Sequence, residues 1–392
     1  MQTLIKTSIM QLLELYRQDP RADKLNLTAG IYMDESGTCP ILDSVREAEA
    51  FRVQNQSSKA TFNLTGAPDY QQAVRTLLFP NMGGSGETHH VQVIQTLGAS
   101  GALHLVGKLV NHYTPNAKIW LSAPTWENHP AVLNSHAGGF GHYRYLPAHL
   151  DEVSLDTILA DLESAKPGDY VLLHACCHNP TGMDLNLSQW TKMADFCAER
   201  HLIPLFDFAY QGFAHSPERD AELFDAFKER VDRFLICNSF SKNMGLYDER
   251  IGALTLVFKE EEQALDWNNT AKRLIRSSYS MPPTHGSFIV SHILNDPDRC
   301  ARWQQELAGM CNDLHTRRAA FFTELANAGI QDQVLTYRQQ QGMFVMLNLS
   351  EQQIDTLRER SGIYLLGNGR ISIASLRTEM MPRFVEALKS VI

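Results

Sequence analysis

The stretch Asn238-Ser239-Phe240-Ser241-Lys242-Asn243-Met244-Gly245-Leu246-Tyr247-Asp248-Glu249-Arg250-Ile251-Gly252 lies between two apolar runs, residues 234–237 and 253–257. Both runs are short and continuous, so each reads as a buried strand. Lys242 then sits just past a strand end among small hydroxyl residues, and Arg250 follows eight positions on. A lysine in that setting can form an imine with an aldehyde, and an arginine fork can hold a phosphate bidentately. A Ser-x-Ser-Lys loop is common by itself. Its meaning depends on what surrounds it.

Outward from this stretch the chain alternates between strand and helix patterns. Strands are predicted at 91–94, 118–122, 143–146, 170–174, 203–207, 234–237 and 253–257, and helices at about 130–137, 154–165, 188–200 and 260–276. Such alternation predicts an α/β protein with a mostly parallel sheet covered on both faces, and a ligand at the carboxyl ends of the strands. Trp126, Asn179, Asp207, Tyr210 and Lys242 all fall at those ends. The strand at 91–94 leads into Leu97-Gly98-Ala99-Ser100-Gly101-Ala102 and then a helical pattern. That layout aims free backbone N–H groups and the helix dipole at an anion. Neither it nor Gly84-Ser85-Gly86-Glu87-Thr88-His89 is a GxGxxG fingerprint, which removes support for a dinucleotide site.

Nearer the start, Ile9, Leu12, Leu13 and Tyr16 share one face of a helix over 7–18, and an irregular segment, 28–32, is centred on Gly30. Ser44-x-x-Glu47 reads as a capping box opening a helix to about Gln54, and Pro68 opens another. After Pro282-Pro283 the texture changes: one long helix over 297–327, a strand at 342–347, a helix at 350–360, strands at 363–366 and 371–373, then a final helix. This predicts a smaller α+β domain. The expected division is an N-terminal arm with part of the small domain over 1–39, a large domain over 40–309, and the small C-terminal domain over 310–392.

The bulk properties narrow the function. With 392 residues, 44% hydrophobic and 20% charged, the chain can bury a sizeable core. A formal net charge of −9 argues against nucleic-acid binding, and no apolar run approaches membrane-spanning length. Residues 1–6 run straight into a helical pattern without signal-peptide architecture. The seven cysteines are odd in number and lack a CxxC, which predicts free thiols in a reducing compartment, the cytoplasm. His89-His90 has no third ligand at a useful spacing, so no metal is expected.

Four stretches then carry a resemblance: Pro124-Thr125-Trp126-Glu127-Asn128-His129, His174-Ala175-Cys176-Cys177-His178-Asn179-Pro180-Thr181-Gly182, Pro204-Leu205-Phe206-Asp207-Phe208-Ala209-Tyr210-Gln211-Gly212-Phe213, and the Lys242 stretch itself. Over nearly its whole length the chain resembles the fold-type I pyridoxal-phosphate aminotransferases of the aspartate/aromatic subgroup. The resemblance implies a seven-stranded, mostly parallel sheet and transamination between an aspartate or aromatic donor and 2-oxoglutarate. Lys242 would hold pyridoxal phosphate covalently and shuttle the proton at Cα. Asp207 would keep the pyridine nitrogen protonated, with His129 supporting it. Asn179 and Tyr210 would bond the phenolic oxygen, and Trp126 would stack on the ring. Gly98, Ala99, Ser100, Ser239, Arg250 and, less firmly, Ser241 would take the phosphate. Arg370 would clamp the substrate α-carboxylate, Gly30 would lie in a mobile loop over the substrate, and Arg276 would reach a distal carboxylate in a neighbouring subunit, implying a homodimer.

The departures from the family pattern matter too. Thr61 stands where a tyrosine usually crosses the dimer to the phosphate, Met281 where aspartate-type enzymes carry asparagine, and Met33 where lysine is frequent. A less polar rim favours a pocket that also takes aromatic side chains, and the missing phosphate contact predicts weaker cofactor retention. A β-lyase or decarboxylase on the same fold is the competing expectation; paired Arg276 and Arg370 favour substrates with a carboxylate at either end.

Overall fold

The apolar runs flanking the Lys242 stretch are hydrogen-bonded neighbours in one sheet. The computed structural model describes residues 9–80, 89–146, 153–335 and 337–392, so the predicted entry through residues 1–6 and the Gly84–Thr88 run fall outside it. Its strands are β1 (Leu25–Asn26), β2 (His90–Leu97), β3 (Ile119–Ala123), β4 (Phe140–Arg144), β5 (Tyr170–His174), β6 (Ile203–Phe208), β7 (Arg233–Ser239), β8 (Ile251–Phe258), β9 (Phe344–Met346), β10 (Ile363–Tyr364) and β11 (Arg370–Ser372). Seven of them form the main sheet in the order β2-β8-β7-β6-β5-β3-β4. Only β8 runs antiparallel to its neighbours β2 and β7. Two small pairs lie apart: β1 parallel to β10, and β9 antiparallel to β11.

Every residue of β5, β6 and β8 is buried, which is why these strands read as unbroken apolar runs rather than alternating ones. On one face Phe206 meets Phe224 and Phe227 edge-on, with ring centroids 5.1 and 4.9 Å away. On the other, Leu205, Leu235 and Leu256 pack against the Gly98–Tyr113 and Glu261–Ser278 helices through Leu105, Leu109, Trp267 and Ile275. The parallel register aligns Asp207 of β6 with His174 of β5 and Cys237 of β7. Thus the carboxyl ends of three strands bring their following loops to one place. The Pro297–Asn327 helix crosses behind them, where buried Trp303 donates Nε1–H to Asn243 O at 2.8 Å, one residue past Lys242.

The structure departs from the sequence reading in several elements. Ser44 is not a helix cap: the helix spans Asp43–Asn55 after Leu42, and the Ser44 hydroxyl bonds Glu306 of the long helix instead. Glu47 pairs with Arg302 at 2.7 Å, so the two partners of the expected box are taken by a distant element. β4 begins earlier than predicted, because Gly141 packs its bare Cα face against the Trp120 ring of β3, where a Cβ would meet it at 2.5 Å. Helices Leu223–Arg230 and His285–Leu294 were not foreseen. The first is short, and the second is masked by the preceding Pro282-Pro283.

One close approach joins the sheet to its ligand end. Gly252 in β8 pairs with Ser239 of β7 and Thr96 of β2; a Cβ there would lie 2.4 Å from Asn238 O and 2.7 Å from the Gly98 carbonyl carbon. Gly309, in the long helix, has open space around its Cα. Gly252→Ala is therefore expected to lower the melting temperature and cofactor retention together. Gly309→Ala should hold or raise stability by about 1 kcal/mol, the helix-propensity difference, as read by denaturant unfolding.

Candidate active site

Asp207 is buried at the end of β6, and its carboxylate must be stabilised with little help from water. The fully buried His129 supplies this, its Nε2 donating to Asp207 Oδ2 at 3.0 Å. His129 Nδ1 meets Thr125 Oγ1 at 2.7 Å, and Thr125 Oγ1 meets His174 Nε2 at 3.1 Å. Burial alone would push the Asp207 carboxyl up. The His129 hydrogen bond, with the Lys242 charge behind it, outweighs burial and holds it below the usual carboxylate range. Burial and the neighbouring His129 carry His174 the other way, down to about 3, which keeps that ring neutral.

Lys242 follows β7. Its Nζ lies 4.8 Å from the Tyr210 ring centroid and has no hydrogen-bond partner among the described residues. Burial lowers the amine to about 8; Asp207 opposes the shift, while Arg250 and Arg370 add to it. Tyr210 Oη lies 3.5 Å from Asn179 Nδ2, and burial raises the phenol well above its ordinary value. Arg370, only 4% exposed, donates from Nη1 to Asn179 Oδ1 at 2.8 Å and from Nη2 to Thr28 O at 2.6 Å. Its guanidinium lies over the Phe344 ring at 4.1 Å, and its buried Nε has no partner.

A second cluster forms beside this one. Gly98, at φ +68°, opens the Gly98–Tyr113 helix, so the N–H groups of its first turn, including those of Ala99 and Ser100, have no partner within the helix. A Cβ on Gly98 would lie 3.0 Å from Arg250 Nη2. Arg250 Nη1 donates to Tyr247 O at 3.1 Å and to Ser241 Oγ at 3.4 Å, and Ser239 Oγ meets Ser241 Oγ at 3.0 Å. Donors and a cation around a helix N-terminus suit a phosphate.

Gly30 lies in a strap over the Arg370 side. A Cβ there would meet the Phe344 ring at 2.8 Å. The strap is tied to C-terminal elements: Tyr32 Oη donates to Asp313 at 2.6 Å, the buried Arg317 donates to Met33 O at 2.8 Å and pairs with Glu35 at 3.1 Å, and Ser375 Oγ donates to Ala29 O at 3.2 Å. Tyr32 N–H crosses to Tyr247 Oη at 3.0 Å. Trp126 is half-buried, its ring edge-on to His129 at 5.1 Å.

The structure thus gathers Lys242, Asp207, Tyr210, Asn179, Arg370 and Trp126 around one space, with Gly98, Ser239, Ser241 and Arg250 next to it. Arg276 is not among them: exposed at the end of the Glu261–Ser278 helix, it bonds Ser280. Thr61 lines a separate cavity of about 360 Å³ with Phe51, Arg52 and Thr284. Sequence reasoning missed Phe344, Arg317 and the Thr125–His174 relay. The two histidines and Thr125 lie in quoted motifs, yet only the register of β3, β5 and β6 makes them a chain. A cavity of about 580 Å³ at the opposite ends of the strands, lined by Ile203, Arg233 and Lys259, lies away from all these groups.

Comparison with known proteins shows the family. Residues 22–388 match the family "Aminotransferase class I and II". The chain is 36% identical to an aspartate aminotransferase of Escherichia coli (strain K12) over 384 residues, 98% of this chain and 97% of the relative. It is 37% identical to an aromatic-amino-acid aminotransferase of Pseudomonas aeruginosa over 383 residues, 98% and 96% of the two chains. An aromatic-amino-acid aminotransferase from Burkholderia pseudomallei, covalently bound to pyridoxal phosphate, superposes with a TM-score of 0.92 at 36% identity, over 99% of this chain and 98% of that one. The chain belongs to the class I and II aminotransferases, the pyridoxal-phosphate enzymes of fold type I. It is an enzyme of transamination.

The residues present fit that cofactor: an amine without a partner for the aldehyde, a stabilised anion for the pyridinium, and a cationic helix N-terminus for the phosphate. In the apoprotein, labelling of Lys242 by an amine-reactive reagent is expected to reach half its maximum near pH 8, because only the neutral amine reacts. Asp207→Asn removes the anion that favours the ammonium, so the midpoint should move lower. Peptide mass spectrometry across a pH series reads both.

Proposed function

We propose that this enzyme moves the amino group of aspartate or an aromatic L-amino acid onto 2-oxoglutarate, giving the 2-oxo acid and L-glutamate in a ping-pong course. The observation that carries this reading is the Arg370 fork, dry, oriented by Asn179 and Thr28 O, and near enough to Lys242 for its charge to lower that amine. Bound pyridoxal phosphate supplies the sink for the electron pair left when the Cα proton departs. Lys242, its amine lowered to about 8 by burial, would take that proton and give it back, serving as the proton carrier of the site. Asp207 would keep a proton on the pyridine nitrogen, and Tyr210 and Asn179 would hold the phenolic oxygen. Trp126 would cover the ring, and Gly98, Ala99, Ser100, Ser239 and Arg250 would seat the phosphate. Arg370 orients the α-carboxylate, and the Gly30 strap excludes water above it.

The working unit in this proposal is a homodimer in the cytoplasm, with the large and small domains divided near residues 39 and 309. Support comes from Arg276, exposed and away from its own site, and from Phe51, Val53 and Phe62, which are 47%, 79% and 87% exposed on one chain. The free cysteines suit a reducing compartment, and among the described residues no helix is long and apolar enough to cross a membrane. For the donor, Met33 and Met281 make the rim less polar, and the relatives include both aspartate and aromatic enzymes.

The test is a single-turnover spectrum of the bound cofactor with aspartate, glutamate, tyrosine and phenylalanine in turn, then with 2-oxoglutarate. Bleaching by both aspartate and aromatics, reversed by 2-oxoglutarate, is expected; bleaching by aspartate alone would overturn the dual pocket. Arg276→Ala is expected to raise KM for aspartate and leave phenylalanine little changed. Thr61→Tyr should tighten cofactor binding, measured by its release on dialysis.

A further inference from the structure

Two carboxylates with no role above hold the loops that present Asn179 and Tyr210. Asp184 accepts the backbone N–H groups of Cys177 at 2.7 Å and His178 at 2.9 Å, just ahead of Asn179. Asp220 accepts those of Gly212 at 2.8 Å, His215 at 3.0 Å and Ala214 at 3.2 Å, just past Tyr210. The two loops also touch: Cys176 Sγ donates to Tyr210 O at 3.3 Å. Both carboxylates line one cavity of about 210 Å³ on the outer side of these loops. Cys177, at φ +50°, holds a backbone conformation that L residues rarely adopt, so its loop needs an external tie.

The two ties are unequal. Asp220 gains a further partner in His215 Nδ1 at 3.2 Å and its side chain is fully buried. Among the described residues Asp184 has only its two backbone donors. Burial pushes its carboxyl up to about 7, against the pull of the His178 and Cys177 N–H groups; Asp220 adds to the rise and His215 opposes it. The other ionisable groups around the shared cavity are Arg219, Glu222 and the Cys176 thiol, with Cys177 on Asp184's own loop.

We propose that Asp184 is a positioning residue for transamination, which by gripping the Cys177 and His178 amides sets Asn179 and, through it, the Arg370 fork. The ionised carboxylate satisfies both amides. A protonated carboxyl offers one of them a hydroxyl, donor against donor, and lets it go. The grip therefore tightens as pH rises through about 7 and slackens below it. The cost to folding runs the other way: the folded state holds this proton above the ordinary carboxylate pKa, so ionising Asp184 lowers stability between that value and about 7. Site geometry is thus bought with a little stability. The inference rests on the reading that Asn179 and Arg370 meet the cofactor and the substrate carboxylate.

The test compares holoenzyme of the natural chain with Asp184→Asn and Arg370→Lys from about pH 6 to about pH 9, the range that brackets this titration. Succinate affinity, donor KM and kcat are measured, with amide hydrogen exchange at residues 177–179 in both holo- and apoprotein. Asp184→Asn is expected to weaken succinate and raise donor KM about tenfold above neutrality, the size of one lost charge-assisted hydrogen bond, with kcat changed much less. It should also flatten the natural enzyme's improvement in succinate affinity across pH 7, and speed exchange at 177 and 178. A natural pH profile and KM in Asp184→Asn overturn the proposal, as does an equal fall of kcat and kcat/KM. If Asp184→Asn does not fold, the natural apoprotein decides: protection at 177 and 178 that is no greater above pH 7 than below it, after correction for intrinsic exchange, overturns the proposal. Arg370→Lys separates the two readings. If it leaves succinate binding intact, the site reading itself fails; if it weakens binding while Asp184→Asn does not, only the Asp184 role fails.

Discussion

An ionised carboxylate in a dry place is the constraint on which the rest of this molecule depends. Asp207 cannot keep its charge by hydration, so neighbours must replace water. His129 does so directly, Thr125 fixes the imidazole, and His174 closes the relay while staying neutral. These four residues come from the end of β6, the end of β5 and the segment after β3. Holding one negative charge in place therefore holds three strand ends in register.

The positive groups answer the same dryness. Burial and the arginines Arg250 and Arg370 drive the Lys242 amine toward neutrality, while Asp207 restrains it. The outcome, near 8, is an amine that can be a nucleophile and a proton carrier at ordinary pH. Arg370 keeps its charge although burial opposes it, because Asn179, Thr28 O and the Phe344 face replace its water. Its unpartnered Nε leaves capacity for a further acceptor, which is what a carboxylate provides.

The C-terminal elements supply the other wall. Tyr32, Met33 and Glu35 of the strap are bound to Asp313 and Arg317 of the Pro297–Asn327 helix, and the same helix anchors Asn243 through Trp303. One helix thus reports to both the strap and the lysine loop. A movement that shifts it must also shift the strap relative to Tyr247, across the Tyr32 hydrogen bond.

Much of this was legible along the chain. The buried strands announced themselves as apolar runs because both faces of the sheet are covered, Pro68 opened its helix, and the long helix spans 297–327 as its spacing implied. Lys242, Asp207, Tyr210 and Asn179 could be placed at strand ends because position after a strand is a local property. What failed was non-local. Ser44-x-x-Glu47 has the letters of a cap, but Glu306 and Arg302, more than two hundred residues away, compete for both side chains and win. Phe344, the Arg317 cluster and the two loop-holding aspartates carry no local signature, since their meaning lies in which backbone they meet. By itself the sequence determined the chemical inventory and the order of strands and helices, through residue type and periodicity. Only the tertiary structure decided which polar groups share a dry space, because desolvation and hydrogen bonding act between neighbours in space and not along the chain.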